Sequence, residues 1–196
     1  QPEPAVTRPL TISFAVGGAG AQKEIGVAVL KSLKQKLLEG SCALNLVCGV
    51  RREVAEYFTR AVEEFGMQTA NVHIIWGKTD TEYFAAFNES LHTTDILWTK
   101  PSELSFYAGL GLPIIAAPCV GAQEEFNLRW LRDIQAVHTQ HDPLYTHEWL
   151  FEYLNDGRFA EASWSGFLKA RKYGTYKIIE LLKTGTMTRE DSALKR

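Results

Sequence analysis

Leu10-Thr11-Ile12-Ser13-Phe14-Ala15-Val16 is a short, apolar, β-prone run, and it passes directly into Gly17-Gly18-Ala19-Gly20. Ala21 to Glu39 follows with Ile25, Val29, Leu33 and Leu37 on one helical face, and Gly40 stands where a C′ glycine belongs. A strand that turns through glycines into a helix is a βα unit.

The same alternation continues downstream. Ala43 to Cys48 reads as a strand, Arg52 to Phe65 as a helix carrying Val54, Phe58, Ala61 and Phe65, and Asn71 to Trp76 as a strand. Asp80 is the expected N-cap of a helix bearing Phe84, Phe87 and Leu91. Asp95 to Trp98 is a short strand, Ser102 is positioned to cap a helix reaching Leu110, and Pro113 to Pro118 is a further strand. Glu124 to Ile134 is a helix and Gln135 to Thr139 a weak strand. His147 to Asn155, Arg158 to Tyr173 and Thr175 to Lys183 read as helices separated by Gly157 and Gly174. Strands alternating with helices predict a parallel sheet. The expected fold is α/β and Rossmann-like, with five to six strands, helices on both faces and C-terminal helices. Residues 1–9, with three prolines, read as a linker or disordered lead-in, 10–184 as one domain and 185–196 as a frayed tail.

Composition agrees with a folded domain. The chain has 196 residues, 45% apolar and 22% charged, with a net charge of −2. At this length a chain buries about 70% of its unfolded surface, so one sizeable core is expected. A nucleic-acid partner calls for a basic surplus, and the net charge of −2 argues against one. No apolar run reaches the roughly 18 residues of a membrane span, and Gln1 to Pro9 has no signal-peptide core. Cys42, Cys48 and Cys119 show no CxxC spacing and read as buried thiols in a reducing compartment. The five histidines show no HxxxH or HExxH spacing, so no metal is expected. Ser163-Trp164-Ser165-Gly166 lacks the GxSxG elbow of a hydrolase.

In a parallel sheet the ligand binds beyond the carboxyl ends of the strands. The strand-to-helix loops carry Gly17, Gly18, Ala19 and Gly20; then Gly49, Arg51 and Arg52; then Trp76 and Lys78; then Lys100, Ser102 and Glu103; then Gln123 and Glu124. Glycines and cations gathered on one edge of a slightly acidic chain point to an anionic ligand, and a diphosphate suits them. Trp76 is placed to cover a base. The first loop is not a dinucleotide fingerprint, because Lys23 occupies the last glycine position, and no GK[ST] of a P-loop follows.

Several of these loops match one family in order. Gly17 to Gly20, Cys48-Gly49-Val50-Arg51, Asp95 to Lys100-Pro101, Gly111-Leu112-Pro113 and Gln123-Glu124-Glu125-Phe126-Asn127 resemble segments of the C-terminal, donor-binding domain of GT-B glycosyltransferases. The similarity is greatest to monogalactosyldiacylglycerol synthases and the lipid-linked N-acetylglucosaminyltransferases of peptidoglycan synthesis, and spans residues 10–135. The resemblance implies a site for a nucleotide diphosphate-sugar, a UDP-sugar first. Gly17 to Gly20 and Lys100 to Ser102 would approach the diphosphate, the backbone of Trp76 to Lys78 the base, and Gln123, Glu124 and Asn127 the sugar. The family's ribose-holding glutamate falls on Phe106, leaving Glu103 one turn earlier as its substitute.

The resemblance further implies an inverting transferase without metal or other cofactor, inactive alone because the catalytic base belongs to a missing N-terminal acceptor domain; no catalytic residue is assigned here. It implies a cytoplasmic protein, with any attachment to the inner face of a membrane made through the parent protein. The alternative is a degenerate, non-catalytic binding or scaffolding module that keeps the fold, a reading that Phe106 favours. A cofactor-binding Rossmann domain is a third, disfavoured because no acidic residue follows the second strand. Trp149, Phe151, Tyr153, Phe159, Trp164, Phe167, Tyr173 and Tyr176 crowd the last helices and read as packing against the sheet or a partner domain; an open remainder would favour a homodimer.

Overall fold

The computed structural model describes residues 8–15, 20–102 and 104–186. Six strands run β1 Leu10–Ala15, β2 Cys42–Val47, β3 Val72–Ile75, β4 Ile96–Thr99, β5 Ile114–Ala116 and β6 Val137–Thr139. They form one sheet of order β3-β2-β1-β4-β5-β6, parallel throughout. The helices are α1 Lys23–Ser32, α2 Lys34–Leu38, α3 Arg52–Glu64, α4 Asp80–Leu91, α5 Leu104–Leu110, α6 Ala122–Asp133, α7 Thr146–Asn155, α8 Arg158–Lys169 and α9 Gly174–Thr184.

Side chains alternate across the pleat, so each strand feeds two cores. Ile12, Phe14, Leu44, Leu46, Ile96, Trp98 and Ile115 join Val29, Leu30, Phe58, Trp149 and Leu150 on one face, beneath α1, α3 and α7. Val47 and Leu97 meet Phe87 of α4 on the other, and Ile114 packs with Leu104, Leu131 and Ala136. Both faces are therefore covered, as continuous apolar strands require. Trp98 is fully buried and donates Nε1–H to Gln140 Oε1 at 2.9 Å, so its one polar atom is satisfied.

Several boundaries differ from the sequence reading. The helix expected from Arg158 to Tyr173 ends at Lys169, because Ala170 turns extended at ψ 130°. The single helix expected over 21–39 bends at Leu33 into α1 and α2; Leu33 itself sits at φ −91°, ψ 3°. Beside the bend, Ser32 Oγ accepts the His147 N–H at 3.0 Å, tying α1 to the start of α7. The cap of α4 is Thr79 and not Asp80: Thr79 is extended and its Oγ1 accepts the Glu82 N–H at 3.2 Å, while Asp80 is the first helical residue. The left-handed residue before α9 is Tyr173, φ 62°, whereas Gly174 already belongs to the helix. Of the terminal aromatics, Trp149 and Phe159 are buried, whereas Trp164, Phe167, Tyr173 and Tyr176 are exposed.

Candidate functional site

The strand order changes direction between β1 and β4, which opens a crevice where the two following loops diverge. Of the first loop, Gly17, Gly18 and Ala19 lie outside the described residues, as does Glu103 of the fourth. Gly20 has φ +68°, and a Cβ there would stand 2.9 Å from Val54 Cγ2 and 3.3 Å from Arg51 Cδ. Only glycine lets this loop close against the start of α3.

A cavity of about 280 Å³ opens at this edge. Its floor is formed by Ala15, Leu97 and Thr99 at the ends of β1 and β4, and its polar rim by Gly49, Arg51, Asp80 and Ser102, which sets one carboxylate beside the guanidinium. The opposite wall is aromatic: Tyr83, Phe84 and Phe87 of α4 with Tyr107 of α5. Tyr83 and Phe87 stack at 5.8 Å, and Phe87 meets Tyr107 edge-on at 6.2 Å. A flat apolar group with an attached polar or anionic part fits such a lining. Arg51, on the rim, reaches Glu53 at 3.3 Å and is 42% exposed.

Gly77 sets the position of the aromatic wall. A Cβ on it would lie 2.3 Å from the Tyr83 backbone N, so α4 turns back over the third loop only because this residue has no side chain. The Lys78 N–H is taken by Glu82 Oε2 at 2.8 Å and its side chain is exposed. Trp76 packs against the main core and not into the cavity, and its buried Nε1 has no partner among the described residues.

Lys100, Glu124 and Asn127 form a second cluster, between the loop after β4 and α6. Lys100 Nζ lies 2.7 Å from Glu124 Oε1, with side chains 13% and 17% exposed. Glu124 Oε2 accepts the Val120 N–H at 2.7 Å, which ties the first turn of α6 back to the residue before its N-cap, Gly121. Asn127, one turn on, donates to the carbonyls of Pro101 at 3.0 Å and Ser102 at 3.4 Å. Burial pushes the Glu124 carboxyl up, but the Lys100 ammonium and the Val120 amide outweigh it and hold the carboxyl below its ordinary range. Gln123 is exposed on the first turn of α6.

Thus Gly49, Arg51 and Ser102 line the cavity with Gly20 behind Arg51, Lys100, Glu124 and Asn127 fasten its neighbouring loop, and Trp76, Lys78 and Gln123 stand apart from the lining. Sequence reasoning missed the aromatic wall, because Tyr83, Phe84 and Phe87 lie inside a helix, where they read only as core. It also missed Gln22, left-handed at φ 66°, whose Nε2 reaches the Pro118 carbonyl at 2.8 Å and links the loops after β1 and β5. Among the described residues no group of three His, Cys, Asp or Glu side chains stands close enough to hold a metal, and no helix is long and apolar enough to cross a membrane.

The chain is similar in structure to MurG of Acinetobacter baumannii, with a TM-score of 0.66 and 18% identity over 91% of this chain and 50% of that one. The C-terminal CMP-Kdo binding domain of WaaA from the same organism matches with a TM-score of 0.57 and 12% identity over 81% of this chain and 87% of that domain. A UDP-N-acetylglucosamine 2-epimerase of Listeria monocytogenes matches with a TM-score of 0.60 and 11% identity, over 94% of this chain and 48% of that one. The fold is that of a GT-B glycosyltransferase domain. At these identities the likeness is one of fold. The chain spans half the length of MurG. No protein-family model matches the chain, and no curated protein does.

Proposed function

We propose that this GT-B domain binds a nucleotide diphosphate-sugar, a UDP-sugar first, as the donor half of an inverting, metal-independent glycosyltransferase. The observation that carries the reading is the cavity at the strand-order reversal, where an aromatic wall faces a rim of Gly49, Arg51, Asp80 and Ser102. The base lies against Tyr83, Phe84 and Phe87, and the diphosphate runs along the rim towards Lys100. Cations and backbone amides there stabilise the charge that develops on the departing diphosphate, which is work that a metal does elsewhere. The catalytic base and the acceptor belong to a second domain, so the chain binds donor and does not turn it over alone. A cytoplasmic location belongs to the same proposal. Two of the neighbours' names specify a nucleotide-linked sugar: CMP-Kdo, with one phosphate, supports a nucleotide-sugar site in general, and UDP-N-acetylglucosamine supports the diphosphate.

Two observations favour a second reading, a non-catalytic module. Lys100 is already neutralised by Glu124, and Phe106, at the place of a ribose acceptor, is 62% exposed and points no polar atom at a ligand. Thermal melting with UDP, dTDP, GDP or ADP separates the two. Binding to the native state alone raises Tm by mass action. A shift with UDP, lost in Ser102→Trp, supports the donor reading; a folded protein that shifts with none supports the module.

A further inference from the structure

The inner side of α6, with Leu128 and Leu131, is buried against the domain. At 3.6 residues per turn, Ala122, Phe126, Arg129 and Asp133 line up on its outer side, and all four are exposed. Phe126 is 65% exposed, and the Arg129 guanidinium lies 5.5 Å from its ring centroid. Trp130, one turn after Phe126, is exposed too, as is Leu110 at the end of α5. α5 runs beside α6, since Leu104, Ala108 and Leu131 share one core cluster. Trp, Phe and Arg are the residue types that concentrate at protein interfaces.

A second domain that brings a base and an acceptor to the donor does not cover this stripe. It must close over the carboxyl ends of the strands, where α6 begins. The strands are parallel, so α6 runs back against them, and Asp133 stands about 17 Å further down at 1.5 Å per residue. The stripe also faces away from the sheet, not along it.

Charge selects a second copy as the occupant. α6 carries Glu124 and Glu125 in its first turn and Arg132 in its last. Two copies of α6 laid antiparallel, with a two-fold axis between Asn127 and Leu128, set unlike groups together. Phe126 faces Arg129 of the other copy, so two cation–π contacts flank the axis. Glu125 faces Arg132 of the other copy along one flank; Arg132 gives one N–H to Thr139 Oγ1 at 2.9 Å and keeps others for the carboxylate. Asp133 meets the start of the other copy's α6, where the backbone amides carry partial positive charge. A parallel arrangement sets Glu125 against Glu125 and Arg132 against Arg132 and loses all three matches. The wider apolar face of α8 and α9 is not self-complementary in this way: residues 171–184 carry Arg171, Lys172, Lys177 and Lys183 against Glu180 alone.

We propose that the chain forms a two-fold dimer through antiparallel α6 helices, whether or not it binds a nucleotide. A helix of about 18 Å with its flanks covers less than the roughly 800 Å² per partner of a standard interface, so the dimer is a reversible, micromolar one. Sedimentation velocity of the 196-residue chain, from micromolar to near-millimolar concentration, tests it. The parent passes from monomer to dimer over this range. Phe126→Glu raises the dissociation constant at least about 30-fold, the loss that one interface hot spot gives. Its far-ultraviolet circular dichroism matches the parent's, because the substituted side chain is exposed. Glu125→Arg and Arg132→Glu each weaken the dimer, and the two together restore it, since the exchanged pair meets again across the axis. A monomer at every concentration overturns the proposal. So does a dimer that Phe126→Glu leaves intact, or a double exchange that dimerises no better than either single change.

Discussion

Replacing Glu124 by Gln tests whether Lys100 serves the fold, the ligand or both. Gln keeps an oxygen for the Val120 N–H and sets an amide NH2 where the oxygen facing Lys100 stood, so the change removes both the counter-charge and the acceptor of Lys100. A solvent-exposed pair contributes about 0–1 kcal/mol and breaking a buried one costs about 3–5 kcal/mol. With a separation of 2.7 Å and side chains 13% and 17% exposed, this pair lies between those limits. The expected loss is about 2 kcal/mol, which for a domain of this size lowers Tm by about 4–8 °C. The sign with pH follows from the depressed carboxyl. Its contribution is complete above the ordinary glutamate value of 4.5 and is lost as pH falls below it, through the lower folded value. The Tm gap between parent and variant is therefore constant near neutrality and closes in acid. The second readout is the Tm increment given by UDP. If Lys100 meets the diphosphate, Glu124 competes for it, so Glu124→Gln enlarges the increment while Lys100→Met diminishes it. Differential scanning fluorimetry across pH, with and without UDP, measures both. If both variants melt earlier yet leave a UDP increment unchanged, Lys100 is a fold-only cation. If Glu124→Gln melts with the parent, the burial argument itself is wrong.

Three further outcomes can be checked. Gly77→Ala places a Cβ 2.3 Å from the Tyr83 N, a backbone atom that cannot rotate away, so it costs about 1–3 kcal/mol or more in urea denaturation and abolishes any nucleotide shift by displacing α4. Phe87→Ala, at a site 5% exposed, costs about 3–5 kcal/mol, whereas Phe84→Ala, 55% exposed on the same wall, stays within about 0.5 kcal/mol and changes only nucleotide binding. Thiol titration of the native protein finds Cys119 first, because Cys42 and Cys48 are buried and burial pushes the Cys48 thiol up to about 12; Cys119 still reacts slowly, since burial and then Glu124 and Glu125 raise its pKa, and Glu124→Gln quickens it.

The fold was legible because its signal is periodic. Ile12 and Phe14, Leu44 and Leu46, Ile96 and Trp98 repeat every second residue and face one core, while Val54, Phe58 and Ala61 repeat at helical spacing and cover it. Gly40 and Gly157 marked helix ends, and both are left-handed. The misses concern choices made by tertiary contacts. Thr79 rather than Asp80 caps α4 because the chain is extended at that residue, and two adjacent capping residues look alike in sequence. Tyr173 rather than Gly174 takes the positive φ, a position where a glycine was the natural expectation. The cavity wall was hidden for a deeper reason: an aromatic on a helix has the same sequence signature whether it faces a core or a crevice.

The residues that carried the family likeness turn out to hold loops and strands together. Asp95 Oδ2 accepts the Thr11 N–H at 2.8 Å, and its carboxylate meets Arg8 at 2.6 Å, at the amino end of β4, the end opposite the cavity. Glu124 holds Lys100, and Asn127 holds the Pro101 and Ser102 carbonyls. Each is explained by backbone groups that would otherwise be unpaired in a half-buried loop, a need that exists with or without a sugar nucleotide. These motifs would therefore serve a donor-binding domain and a silent relative alike. The discriminating residues are those that face the cavity and fasten nothing, Phe84 above all. A substitution there that leaves Tm in place and removes the nucleotide shift argues for binding; Lys100 and Glu124 move stability whichever reading holds.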